Sequence, residues 1–186
     1  DLNFRNQDLL GFRQRRPRAK LKNDIMESQL TAQDIKEFWL RVYFDLSEGY
    51  ELAAIKRAYR DFARTLKSFP SDRECRIAIK KRWVALLQER VKIILSTSLT
   101  KQEEFTIWHQ AACFSLRTVD EGFKLTQGQA QKWINMTLKY LYAMGEERIP
   151  GISRNYRFFH IPIHNIIMEK LEEVGVERIK VTWSNI

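Results

Sequence analysis

Three histidines and two cysteines are the side chains here most able to hold a metal or act as nucleophiles. His109 and Cys113 stand four apart, one helical turn, so both fall on one face. A zinc site needs about four ligands in tetrahedral reach, commonly as closely spaced pairs. Only His160 and His164 remain to complete one, and Pro162 between them prevents helical i, i+4 geometry. The set therefore reads as core packing, with Cys113 as a small hydrophobe, and neither metal nor cofactor is expected. A nucleophilic pair of Cys113 with a histidine lacks any accompanying oxyanion-hole motif.

The cations are the more specific signal. The chain carries 32 Lys and Arg against 23 Asp and Glu, a net charge of +9. Arg13, Arg15, Arg16, Arg18, Lys20 and Lys22 have no acid among them and bury nothing, so residues 1–24 are expected to form a basic arm that contacts phosphate. Residues 25–186 hold 25 basic and 20 acidic side chains, so the expected folded domain is itself basic, at +5. Two stripes account for much of that: Lys56, Arg60 and Arg64 at helical spacing, then Arg76 and Lys80. Between 154 and 160, Arg154, Tyr156 and Arg157 interleave with Phe158, Phe159 and His160 on a segment without helical period. That mixture suits unpaired bases and phosphates.

The elements that position these residues read as helices. Only 7 Gly and 4 Pro serve 186 residues, too few to punctuate a β-sandwich or barrel, and 44% apolar composition suffices for one core. Thr31 with Asp34 opens a first helix whose apolar stripe is Ile35, Phe38, Trp39, Val42, Tyr43 and Leu46. A second, about 51–67, turns Leu52, Ile55, Tyr59, Phe62 and Leu66 inward. Ser71 with Glu74 opens a third, about 72–95, with Ile77, Trp83, Val84, Leu87, Val91, Ile94 and Leu95 on one face. Thr100 with Glu103 opens a fourth, and Thr126 with Gln129 a fifth, ended by Gly145 in a left-handed cap. An irregular loop spans 146–161, a last helix starts at Pro162, and 176–186 reads as extended. The expectation is an all-α domain of about six helices.

Within residues 125–175, about a quarter of the chain, Gly128 precedes a helix bearing Lys132 (GQAQKWINMTLKYL), and Ile161-Pro162-Ile163-His164 leads into the last helix. This arrangement resembles the segment of helix-hairpin-helix base-excision DNA glycosylases that carries their chemistry. The resemblance implies that amides at the Gly128 turn bind a DNA phosphate and that Lys132 attacks the sugar C1′ as an amine. It also implies an Asp where His164 stands, and an imidazole supplies no negative charge for an oxocarbenium ion.

The expected function is nucleic-acid binding, with DNA as the preferred partner, extended by the resemblance to glycosylase-like action on an extruded base through Lys132 and His164. The alternative is a non-enzymatic helical module for an acidic protein partner. No apolar run approaches the roughly 18–20 residues of a membrane span, so the expected setting is cytoplasmic, nucleoid-associated if DNA is bound.

Overall fold

The computed structural model describes residues 30–67, 69–161 and 165–177. These contain seven α-helices and no strand, so the all-α reading holds. The chain divides into two units, Asp1–Trp39 and Leu40–Ile186. The expected arm, 1–24, lies outside the described residues, as do the start of the last helix at Pro162 and residues 178–186.

Helix α1 (Ala32–Tyr43) begins as its sequence predicts. Thr31 Oγ1 accepts from the Asp34 N–H at 3.1 Å, while Asp34 Oδ2 accepts from the Thr31 N–H at 2.9 Å. Its apolar stripe departs from expectation, because Ile35, Phe38, Trp39, Val42 and Tyr43 are exposed while Leu40 and the following Phe44 are buried. Apolar spacing marks an amphipathic helix, but which edge of a broad stripe faces inward depends on what it meets.

Helix α2 (Tyr50–Phe62) continues into a 3-10 turn, Ala63–Thr65, and α3 (Arg73–Ser96) follows Pro70. The N-cap of α3 is Asp72, whose carboxylate accepts from the Cys75 N–H at 2.6 Å, in place of the expected Ser71 and Glu74 pair. Helix α4 (Gln102–Thr118) is also shifted by one: Glu104, not Glu103, accepts from the Thr100 N–H at 2.8 Å. Asp72 reaches a free amide of the first turn, whereas Glu104 reaches back from the first turn to the Thr100 and Lys101 amides that precede it. Asp120 then ties the α4–α5 loop, accepting from the Gly122 and Phe123 N–H groups and from Arg82 Nε.

Helix α5 (Gln127–Met144) has the predicted reciprocal cap, with Gln129 N–H donating to Thr126 Oγ1 at 3.1 Å and Thr126 N–H to Gln129 Oε1 at 3.0 Å. Residues from Ala130 to Met144 are buried over an arc of about 200° at 100° per residue, leaving Lys139 and Tyr142 outward. Trp133 Nε1 donates to the Ile55 carbonyl at 2.9 Å, tying α5 to α2. Gly145 ends the helix at φ +89°, but its ψ of 165° lies outside the left-handed helical region.

The expected irregular loop contains helix α6 (Ile152–Asn155) and a 3-10 turn, Tyr156–Phe158; α7 (Asn165–Glu173) follows. Local order there comes from two polar anchors and one close backbone approach, none of which shows periodicity. Glu146 accepts from the Gly151 and Ser153 N–H groups at 2.6 and 2.8 Å. Buried Asn155 donates to the Ile94 and Thr97 carbonyls and accepts from the Leu99 N–H. Gly151 has φ +91°, and a Cβ there would stand inside the contact radius of the Leu95 carbonyl oxygen. Gly151→Ala should therefore cost about 2–4 kcal/mol, combining backbone strain with overpacking, read as a lowered urea midpoint with unchanged m-value.

Candidate nucleic-acid interface

Two stripes with identical spacing face each other across α2 and α3. One is Lys56, Tyr59 and Arg60 on α2, continued by Ala63 at the start of the 3-10 turn; the other is Arg73, Arg76, Ile77 and Lys80 on α3. Between them lies a groove of about 620 Å³ lined by Tyr59, Ala63, Leu66 and Phe69 below and by Arg73, Arg76, Ile77 and Lys80 above. Its lining residues include three cations and no acid.

The rings of this groove are held by the core. Tyr59 lies 5.4 Å from Phe62 and 5.3 Å from Trp133, ring to ring. Phe69 stacks on buried Trp83 at 5.6 Å and meets Phe123 edge-on at 4.9 Å. Lys80 Nζ sits 4.5 Å above the Tyr59 ring. Burial lowers the Lys80 pKa, and the charges of Lys56 and Arg60 lower it further. Burial raises the Tyr59 hydroxyl, with Arg76 acting in the opposite sense. Four cations thus share one electrostatic neighbourhood around a single ring. Acids balance it in part: Lys56 pairs with Glu48, and Asp45 lies close enough to Lys56 and Arg60 for their charges to act on its carboxyl.

Lys132 is half-buried beside the last turn of α2. Burial lowers its pKa; Asp61 opposes this, while Lys139 and Arg64 reinforce it. Asp61 accepts from Arg57 at 2.8 Å and from the Tyr140 hydroxyl at 2.5 Å. His164 lies outside the described residues, as do Arg13, Arg15, Arg16 and Arg18. Gly128 is buried in the first turn of α5. Arg154, Tyr156 and Arg157 are exposed, with Tyr156 stacked on Tyr142 at 4.9 Å and Arg157 4.7 Å over Phe158. They adjoin the C-terminal end of α3, where Asn155 bonds Ile94, about 21 Å along the helix from Lys80. Among the described residues, the predicted cations Arg76 and Lys80 thus stand apart from Arg154 and Arg157, and exposed Arg64 acts on Lys132 without lining the groove.

Tyr59 and Leu66, assigned by periodicity to the core, pack against its edge and also line the groove, where Arg73 and Phe69 join them; Ile77, assigned likewise, lines the groove instead. Ile77 is 57% exposed, and its place inside is taken by Ile79. The one signal that could have marked Ile77 is its position among Arg73, Arg76 and Lys80.

His109 and Cys113 share a buried face. Asn135 Oδ1 only accepts, so His109 Nε2 donates to it at 2.8 Å, and Nδ1 faces the Cys113 thiol at 3.9 Å. Burial pushes that thiol up to about 12, far from the thiolate a nucleophile needs. Among the described residues no three His, Cys, Asp or Glu side chains gather as a metal site, and no helix is long and apolar enough to cross a membrane.

Compared with protein-family models, with curated proteins and with solved structures, the chain matches none. Function is therefore read from the side chains themselves.

The buried histidine sets a pH dependence. Burial and then His160 drive His109 down to about 4, against the raising effect of the Asn135 hydrogen bond. The unfolded chain takes up that proton more readily, so the stability held by neutral His109 is complete above about pH 6.5 and is lost as pH falls toward 4. Urea unfolding between pH 7 and 4 should show His109→Gln losing less stability on acidification than the unmodified protein, by on the order of 3 kcal/mol. Equal losses would show that His109 does not contribute.

Proposed function

We propose that the protein binds nucleic acid, with the α2–α3 groove as its principal phosphate-contacting surface. The supporting observation is that Arg73, Arg76 and Lys80 line one groove that no acid lines, with Lys56 and Arg60 close enough for their charges to act on Lys80. Cations spaced along two helices neutralise successive phosphates and release counterions, so affinity falls steeply with salt. DNA is the favoured ligand in this reading, and the basic arm at 13–22 adds sequence-independent contacts. Fluorescence anisotropy with a labelled DNA oligonucleotide should give a negative slope of log affinity against log salt. Replacing Arg73, Arg76 and Lys80 together by Gln should reduce affinity at least tenfold and flatten that slope by about 2 to 3. No binding at low salt, alongside tight binding of poly-glutamate, would replace this reading with the acidic-protein partner.

The lowered pKa of half-buried Lys132 favours a second, chemical reading in which its amine attacks the sugar of an extruded or abasic nucleotide. On an abasic sugar, attack on the C1′ aldehyde forms a Schiff base with loss of water; on an intact nucleotide the N-glycosidic bond breaks, the base leaves, and the Schiff base forms as the C1′–O4′ bond opens. Borohydride should then trap a covalent adduct on abasic DNA that disappears in Lys132→Ala; an adduct that persists, or none at all, removes the lyase chemistry.

A further inference from the structure

Phosphate neutralisation needs only cations at a surface, whereas this groove has rings and aliphatic side chains recessed beneath them. Tyr59 and Phe69 are both partly accessible, and each is braced from behind by a buried tryptophan, Trp133 and Trp83. Ring faces held in this way require no reordering when a flat ligand arrives, which removes part of the entropic cost of binding. Leu66 and Ile77 add apolar surface to the same lining. Arg73, Arg76 and Lys80 stand along one margin of the same space. The volume of about 620 Å³ falls within the roughly 300–1,000 Å³ of sites that enclose a small organic ligand.

We infer that the groove seats an unpaired base of a single-stranded nucleic acid on Tyr59 and Phe69, with the adjoining phosphate held by Arg73, Arg76 and Lys80. A base within a duplex has both faces covered by its neighbours and presents only its edges in the grooves, so it cannot lie on a recessed ring. An unpaired base has a free face, and stacking on an aromatic side chain accepts any of the four bases. Lys80, now 4.5 Å over Tyr59, would exchange its contact with the ring for one with phosphate as the base enters. Binding is therefore selective for strandedness and tolerant of sequence. This inference rests on the nucleic-acid reading above, and it assigns the base-contacting role to the α2–α3 groove and not to residues 154–160.

The test compares three ligands of equal phosphate number on the unmodified protein at one salt concentration: a deoxythymidine oligonucleotide, the same length of abasic strand, and a duplex. The deoxythymidine strand should bind about tenfold or more tightly than either of the others. Equal affinity for all three would overturn base seating and leave phosphate binding intact, whereas absence of binding to all three would overturn both. Tyr59→Leu should abolish the preference for bases over abasic strand; a preference that survives overturns the proposal. Because Tyr59 also braces the core, photocrosslinking of a 5-iodouracil oligonucleotide to the unmodified protein supplies an independent reading. Adducts at Tyr59 or Phe69 support base seating there, and adducts confined to other residues overturn it.

Discussion

The hydrogen bond from Trp133 to the Ile55 carbonyl, in a site closed to water, is the constraint on which the groove depends. An indole buried without a partner for its N–H would lose much of what its area contributes. Ile55 supplies that partner from the middle of α2, fixing α2 against α5 along their length and in rotation. With α2 so turned, Ile55, Ala58 and Phe62 are buried, Tyr59 rests against the Trp133 ring, and Lys56 and Arg60 are directed toward the gap with α3. The basic face of α2 is thus a consequence of how its apolar face is docked.

Helix α3 is positioned by a related device. Trp83 touches Phe69, Phe123 and Trp133, so the chain between α2 and α3, the loop after α4 and the central helix meet at one side chain. Asp120 reinforces this meeting by holding the Phe123 amide while receiving Arg82 from α3. Burial works against its charge, but the hydrogen bonds from Arg82, Phe123 and Gly122 outweigh it, and its carboxyl stays below the ordinary range. The far end of α3 is secured through Asn155 and Gly151. A helix anchored at both ends can carry Arg73, Arg76 and Lys80 close together despite their mutual repulsion, because packing elsewhere supplies the stability.

Electrostatics and packing act together at the groove. Cations gathered with few acids raise the free energy of the unliganded surface, and a polyanion relieves it. The His109 cluster shows the opposite arrangement. There, buried His109 donates to partly buried Asn135 and packs against His160 at 4.6 Å. The two places hold the chain's most chemically suggestive side chains, and burial separates their roles: one is open to a ligand, the other contributes cohesion.

Much of this was legible in the residues. Helical periodicity, the Thr126 and Gln129 cap, the stop near Gly145 and the basic stripes of α2 and α3 all arise from interactions within one turn or one helix, which local spacing encodes. Where two neighbouring residues could perform one local task, the sequence left the choice open, as at Ser71 against Asp72 and Glu103 against Glu104. Ile77 and Ile79 pose the same ambiguity on a larger scale: both are β-branched and apolar, and only the position of Trp83 and its neighbours selects Ile79 for the interior. The composition and order of residues determined an all-α, basic protein and the cations that it presents. Only the tertiary structure decided that Arg73, Arg76 and Lys80 of α3 line one groove with Tyr59 and Phe69, with Lys56 and Arg60 of α2 nearby, while Arg154, Tyr156 and Arg157 stand apart, because helix rotation and pairing are settled by side chains that meet across long separations in the chain.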